Sequence, residues 1–194
     1  MDWQNPIKLA IGIPNTGSIK TQTVFSLTKL LKRSPWPYHV MLKESCYIHI
    51  NREHIAETAL KLDCTHLLFV DSDMIFEPGA VFTLMERNKD IVGAHYNLRK
   101  FPLTSTVKMT QEKKDEIARE RSEITKVDGL ATGFLLIKMD VFKKLSRPWF
   151  FYEYIDEKDF WGEDFWFCRK AREAGYDIWL DLTVKVGHIG DHIY

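Results

Sequence analysis

Apolar and polar positions along the first half of the chain predict strands and helices in alternation. Ile7 to Ile13 is apolar and rich in β-branched residues, as a strand requires, and Pro14-Asn15-Thr16-Gly17 breaks it. Between Lys20 and Arg33, Val24, Leu27 and Leu31 recur at helical spacing while Lys20, Lys29 and Lys32 stay polar, so a helix is expected that Pro35 and Pro37 end. Tyr38 to Ser45 reads as a second strand, and Asn51 stands where it can cap a helix with Ile55, Thr58, Ala59 and Leu62 on one side. The continuous run His66 to Val70 suits a strand buried on both faces of a parallel sheet. Pro78 opens a helix through Met85, and Asp90 to Tyr96 supplies another strand. The resulting order predicts a Rossmann-like α/β/α sandwich with a central, mostly parallel sheet, its functional groups at the carboxyl ends of the strands.

The second half changes character. The mixed charge run from Gln111 to Glu123 reads as a solvated helix or loop rather than a lid. A strand from Gly133 to Lys138, a helix from Asp140 to Leu145 and the aromatic stretch Pro148 to Tyr152 follow. Glu163 and Asp164 head a last helix with Phe165, Cys168 and Ala171 on one side, closed by Gly175, before short strands at Ile178 to Leu180 and Thr183 to Val186. With no repeat or linker, the expectation is one domain spanning 1–194.

Composition narrows the partners. At 45% apolar and 28% charged residues the chain has the make-up of a globular protein. Its 27 basic residues match its 27 acidic ones, leaving no excess to neutralise a nucleic-acid backbone, so no nucleic-acid partner is expected. Cys46, Cys64 and Cys168 are odd in number and widely spaced, which argues against a disulfide framework or structural zinc. No stretch approaches the roughly 20 apolar residues of a membrane span, and no cleavable leader precedes the first strand. A cytoplasmic protein without an integral membrane segment is expected.

Candidate chemistry begins at Asp71-Ser72-Asp73. Paired aspartates also occur in turns as backbone acceptors. Beyond the end of a buried strand, however, they fall in the ligand crevice of an α/β sheet and suit a hard divalent cation that also binds phosphate oxygens. Ile75 at the next ligand position excludes an EF-hand, and Ser18 and Ile19 after Gly17 exclude a P-loop. Asn15 and Thr16 remain able to read a base or ribose. His188, between Gly187 and Ile189 at a strand end, is a candidate ligand that suits Mn²⁺ better than Mg²⁺, with His192 as its rival. Glu163 and Asp164 follow Trp161 and Gly162; one acid is explained by helix capping, and the other is a candidate general base. Nearby aromatics divide between core and a stacking surface for a sugar or base.

Taken in chain order, Leu67-Leu68-Phe69-Val70-Asp71-Ser72-Asp73, Gly129-Leu130-Ala131-Thr132-Gly133-Phe134, Trp161-Gly162-Glu163-Asp164-Phe165-Trp166 and Val186-Gly187-His188 resemble the GT-A fold glycosyltransferases. The resemblance covers nearly the whole chain. It implies a nucleotide diphosphate sugar as donor and a hydroxyl-bearing acceptor. It also implies a divalent metal, Mn²⁺ favoured over Mg²⁺, held by Asp73 and His188 with Asp71 as a metal or ribose contact. Pro14, Asn15, Thr16, Arg52 and Ser72 would complete the nucleotide side. Thr132, Gly133, Trp161 and Gly162 would line the sugar and acceptor pocket, with Asp164 and Glu163 as the catalytic acids. Inverting and retaining members both carry acids here, so the stereochemical outcome stays open.

The membrane segments and Q-x-x-R-W signature of processive polysaccharide synthases do not follow His188, so a minimal catalytic domain is expected. An acceptor-binding part, where one is needed, would come from an accessory subunit or a second protomer in a homo-oligomer. Two alternatives stand beside this reading: a nucleotidyltransferase of related layout, which usually has a basic first loop, and a noncatalytic carbohydrate-binding module.

Overall fold

The structure is a computed structural model that describes residues 6–99, 102, 104–120, 122–157 and 159–190. Its first half consists of β1 (Leu9–Asn15), α1 (Thr21–Arg33), β2 (Tyr38–Glu44), α2 (Ile48–Lys61), β3 (His66–Val70), the short β4 (Met74–Phe76), α3 (Pro78–Glu86) and β5 (Ile91–Ala94). The second half adds β6 (Val107–Lys108), α4 (Gln111–Glu120), β7 (Ile124–Val127), β8 (Gly129–Leu130), β9 (Phe134–Lys138) and α5 (Met139–Lys144). It ends with β10 (Glu153–Tyr154), β11 (Phe160–Trp161), α6 (Glu163–Glu173), β12 (Ile178–Asp181) and β13 (Val186–His188).

Seven strands form the central sheet in the order β2-β1-β3-β9-β5-β12-β7. Five of them share one direction, while β9 and β7 run against their neighbours. Leu67 to Val70 of β3 are buried, as a strand covered on both faces must be. On one face, α2, α5 and α6 bury Ile55, Phe142 and Phe167 against Leu67, Phe69 and Leu135. On the other, α1 and α3 bury Leu30 and Leu84 against Ile11, Leu68 and Leu136. The result is the Rossmann-like α/β/α arrangement expected from the alternation of elements. Close packing of β1 on α2 requires Gly12, where a Cβ would lie 2.3 Å from Ile55 Cγ2.

Two local expectations need correction. The buried face of α1 consists of Thr23, Ser26, Leu27 and Leu30, whereas Val24 and Phe25 are 46% and 64% exposed. Hydrogen bonds explain the rotation. Thr23 Oγ1 donates to Ser72 O at 3.1 Å and Phe76 N–H donates to Ser26 Oγ at 3.1 Å, so the segment after β3 is fastened by polar groups rather than by an apolar stripe. Asn51 does not cap α2, which begins at Ile48. It is buried inside the helix, and its Nδ2 donates to Asn15 O at 3.2 Å, tying α2 to the end of β1. The charged run forms the helix α4 over most of its length. Among the described residues no helix is long and apolar enough to cross a membrane.

The far end of β12 is locked by a fully buried carboxylate. Asp181 Oδ1 accepts from Thr183 N, Thr183 Oγ1 and Val184 N at 2.8, 2.6 and 3.0 Å, and Oδ2 accepts from Arg87 Nε at 2.6 Å. Burial alone would raise this carboxyl, but those bonds more than offset it and hold it below the ordinary 3.8. A depressed value contributes stability above the unfolded pKa that is lost as pH falls through the folded one. Asp181→Ala, which strands Arg87, is expected to cost about 3–5 kcal/mol near neutral pH in denaturant unfolding. The difference from the parent chain should narrow as pH drops below 3.8.

Candidate active site

The sheet order places a topological switch between β1 and β3, where the chain leaves β2 at one edge and returns on the other side of β1. Crevices for ligands form outside the carboxyl ends of strands at such a point. A cleft of about 350 Å³ lies here, bounded by Pro14, Asn15 and Thr16 after β1 and by Asp71, Ser72 and Asp73 after β3. Arg52, Glu163, Asp164 and His188 complete the set of sequence-predicted residues that the fold brings to it.

Antiparallel pairing is what gathers residues so distant in sequence. In the β13–β4 ribbon His188 stands opposite Met74, and Ile189 N–H donates to Asp73 O at 2.9 Å. His188 Nε2 consequently lies 3.3 Å from Asp73 Oδ1. The start of β9 reaches the same end of the sheet because it runs against β3, so Asp71 N–H donates to Gly133 O at 2.9 Å.

The Asp73–His188 contact has a specific chemical implication. His188 Nδ1 lies 2.9 Å from Asn97 O, and a carbonyl only accepts, so Nδ1 carries the proton. In the neutral ring Nε2 is then an acceptor facing a carboxylate oxygen, and such a pair requires a cation between the two atoms or a second proton on the ring. Asp73 raises the His188 pKa against the opposing effect of burial. Burial would raise Asp73 in turn, but His188 and Arg99 more than offset it and keep its carboxyl below the usual range. The donor set fits a hard divalent cation that takes few protein ligands and fills its shell with water and phosphate oxygens. An imidazole with Nδ1–H on a backbone carbonyl is also oriented as metal ligands usually are. No cluster of three or more such donors exists among the described residues.

Asp71 Oδ1 instead accepts from Arg52 Nη2 at 2.9 Å. The guanidinium is 3% exposed, reaches Glu163 Oε1 with Nε at 3.4 Å, and lies 5.5 Å from the centre of the Phe69 ring. Its Nη1 is buried without a hydrogen-bond partner. Burial opposes the charge, but Asp71, Glu163 and Asp164 together hold Arg52 above its ordinary value. The Tyr152 hydroxyl lies near Glu163, whose charge raises the tyrosine beyond the effect of burial. Asp164 is the acid left over. Burial and then Glu163 raise it, against the pull of Arg52, to about 7.

The remaining predicted residues sit differently. Asn15 is spent on the loop itself: Oδ1 accepts from Gly17 N at 3.0 Å and Nδ2 donates to Lys43 O at 3.1 Å. Thr16 is exposed at the rim. Thr132 is fully buried, its Oγ1 without a partner, and Gly133 lies behind the cleft rather than on its wall. Gly162 is the N-cap of α6. The Trp161 ring carries Lys108 Nζ at 3.4 Å from its centre, outside the cleft. His192 lies outside the described residues.

Tyr96 and Arg99 line the cleft without having been singled out in the sequence, whereas Tyr152, which also lines it, belongs to the aromatics expected to divide between core and stacking surface. Arg99 Nη1 holds Asp73 Oδ2 at 2.9 Å, and the Tyr96 ring stands edge-on to His188 at 5.3 Å. Their signal was available: Tyr96 and Arg99 follow β5, a strand whose carboxyl end faces the same crevice as β1 and β3.

Neither a protein-family model nor a curated protein sequence matches the chain. Among solved structures it is similar to A197 from STIV, with a TM-score of 0.67 at 21% identity over 95% of this chain and 86% of that one. It is also similar to the inositol-1-phosphate CTP transferase from T. maritima, with a TM-score of 0.51 at 12% identity over 97% and 91% of the two chains. At these identities the likeness is one of fold, and it supports the α/β/α sandwich with a mostly parallel sheet.

Gly133 is the tightest point of the site. A Cβ there would lie 2.2 Å from the Tyr96 hydroxyl and 2.8 Å from Asp71 Oδ2, and Gly133 N–H already donates to that hydroxyl at 2.9 Å. Gly133→Ala is expected to destabilise the chain by about 1–3 kcal/mol in thermal or denaturant unfolding. Tyr96→Phe in the same chain should recover part of the loss, since it removes the closest atom; no recovery would place the strain elsewhere.

Proposed function

We propose that the chain is a metal-dependent transferase that binds a nucleotide diphosphate sugar and passes the sugar to a hydroxyl acceptor. The observation that carries this reading is the pairing of Asp73 with His188 Nε2 across 3.3 Å in the same cleft as a carboxyl raised to about 7. One group is suited to a cation and phosphate, the other to accepting a proton near neutral pH. Asp73 and His188 would hold the divalent ion, Mn²⁺ in preference to Mg²⁺. When bound it would neutralise charge on the departing diphosphate. Asp71, fixed by Arg52, would contact the ribose, and Pro14, Thr16, Ser72 and the backbone of Asn15 would form the nucleotide side.

In the step that follows, Asp164 takes the proton of the acceptor hydroxyl. The hydroxyl oxygen forms its bond to the anomeric carbon, and the bond from that carbon to the diphosphate oxygen breaks, the electron pair leaving with the diphosphate. Arg99, which holds Asp73 at 2.9 Å, would meet the charge that develops. Glu163 would be a positioning residue, because it is paired with Arg52.

A second reading is nucleotidyl transfer, supported by the fold shared with the inositol-1-phosphate CTP transferase. That chemistry attacks the α-phosphate of a triphosphate and releases pyrophosphate. It has the same use for Asp73 and His188, but calls for more positive charge than the first loop offers, since no Lys or Arg stands between Gly12 and Ser18. The released product separates the two: nucleoside diphosphate for sugar transfer, pyrophosphate for nucleotidyl transfer. Sugar binding that needs neither metal nor nucleotide would instead favour a noncatalytic module.

A panel of nucleoside diphosphates, triphosphates and nucleotide sugars, each with and without Mn²⁺, is expected to raise the melting temperature only where the metal and one nucleotide are both present. Asp73→Asn should abolish that shift while leaving the melting temperature of the free chain little changed; an undiminished shift would overturn the metal assignment. Asp164→Asn should keep the shift and slow transfer by about 10²-fold or more, the usual worth of a general base. In the parent chain the rate should rise with pH through about 7 and level off above it, because only the deprotonated carboxylate takes a proton. A flat pH profile, or full activity in Asp164→Asn, would remove Asp164 as the base.

A further inference from the structure

Beside the cleft lies a larger cavity of about 940 Å³, and the two share Tyr96, Leu98, Arg99 and His188. It opens between α4 and the stretch from β12 to β13. Its wall is apolar, built from half-buried Val107, Met109, Ile117 and Leu182. Its rim is cationic, with Arg99, Lys114 and Lys185 exposed around it beside the His95 imidazole. Asp181 supplies the one carboxylate among the described lining residues, and it is fully buried and consumed by Arg87, Thr183 and Val184. His95 and Lys185 are close enough that, after burial, the lysine is the second cause keeping the imidazole below its ordinary value. A rim that crowds cations without a free carboxylate is arranged for an anion. A neutral sugar calls for the opposite, carboxylates and amides that accept from its hydroxyls.

We infer that this cavity binds the acceptor, and that the acceptor is an amphipathic molecule with an apolar body on the wall and an anionic group, phosphate or carboxylate, against Lys114 and Lys185. The inference rests on the transferase reading for the role of acceptor, but the ligand chemistry follows from the cavity alone. The shared wall at Arg99 and His188 gives such a molecule a path for its hydroxyl into the cleft, while the nucleotide keeps the separate space between β1 and β3. The overall charge balance disfavours a long polyanion and places no bar on a single anionic group meeting a local cluster of cations.

Binding of octyl phosphate, below its micellar concentration and without metal or nucleotide, tests the cavity by melting temperature and calorimetric titration. Octyl phosphate is expected to bind, and neither inorganic phosphate nor neutral octyl glucoside should match it at equal concentration. Lys114→Glu with Lys185→Glu, at exposed positions away from the cleft residues, should weaken binding about tenfold or more. Ile117→Asp should weaken it comparably through the apolar wall. Equal binding of octyl glucoside, absence of octyl phosphate binding, or indifference to the lysine charges would each overturn the inference. Adding the nucleoside diphosphate with Mn²⁺ then tests the role: joint occupancy is expected of an acceptor, and mutual exclusion would overturn it by assigning the cations to the donor phosphates. A missing nucleotide shift in the same samples would be a failure of the transferase reading, and the octyl phosphate titration would still report on the cavity.

Discussion

The cleft depends on one guanidinium buried beneath it. Arg52 projects from α2 and binds the carboxylate that ends β3 and the one that begins α6, so three elements from different parts of the chain are fixed by a single side chain. Burying an ion costs several kcal/mol, and the arrangement is tolerable only because two opposite charges and the Phe69 ring surround it. An apolar side chain of the same volume would fill the space but leave Asp71 and Glu163 repelling each other. Arginine is suited to this place for its fork of donors, which reaches two carboxylates at once.

That same guanidinium separates two acids adjacent in sequence. Glu163 is paired with Arg52, whereas Asp164 feels Arg52 only through space and is raised by burial and by Glu163. Two neighbouring carboxylates with such different surroundings are what acid–base chemistry requires, and the difference is set by the α6 terminus and α2 rather than by the acids themselves. A similar division affects the aspartates after β3: Asp71 serves Arg52, and Asp73 faces His188 and Arg99. The pair therefore presents one carboxylate to a cation, not two.

Much of this was legible in the sequence, and the rest was hidden for definable reasons. Alternating apolar runs located the parallel strands, and the strand-end rule brought Pro14, Asp71, Asp73 and His188 to one place, while Asp164 at its helix start came with the family resemblance. The reversed direction of β9 left no mark, because a fully buried antiparallel strand and a fully buried parallel one have the same apolar run. The face of α1 was misjudged because Thr23 and Ser26 are buried by hydrogen bonds, which a count of apolar residues does not register. Asn51 and Asn15, both good candidates for a cap or a ligand, are used up on the backbone around them. Arg99 and Tyr96 were missed because attention to acids and histidines overlooked the loop after β5.

Charge balance over the whole chain conceals a strong local separation. Four carboxylates, Asp71, Asp73, Glu163 and Asp164, line the cleft against two guanidiniums, those of Arg52 and Arg99. A diphosphate entering that space adds negative charge to an acidic floor, so it is stable there only if cations come with it or if Asp164 holds a proton. On the proposed function, a divalent ion held by Asp73 and His188 would meet that requirement, since neither residue belongs to the Arg52 network on which the floor rests. The electrostatics of the cleft thus oppose an anionic group unless positive charge accompanies it.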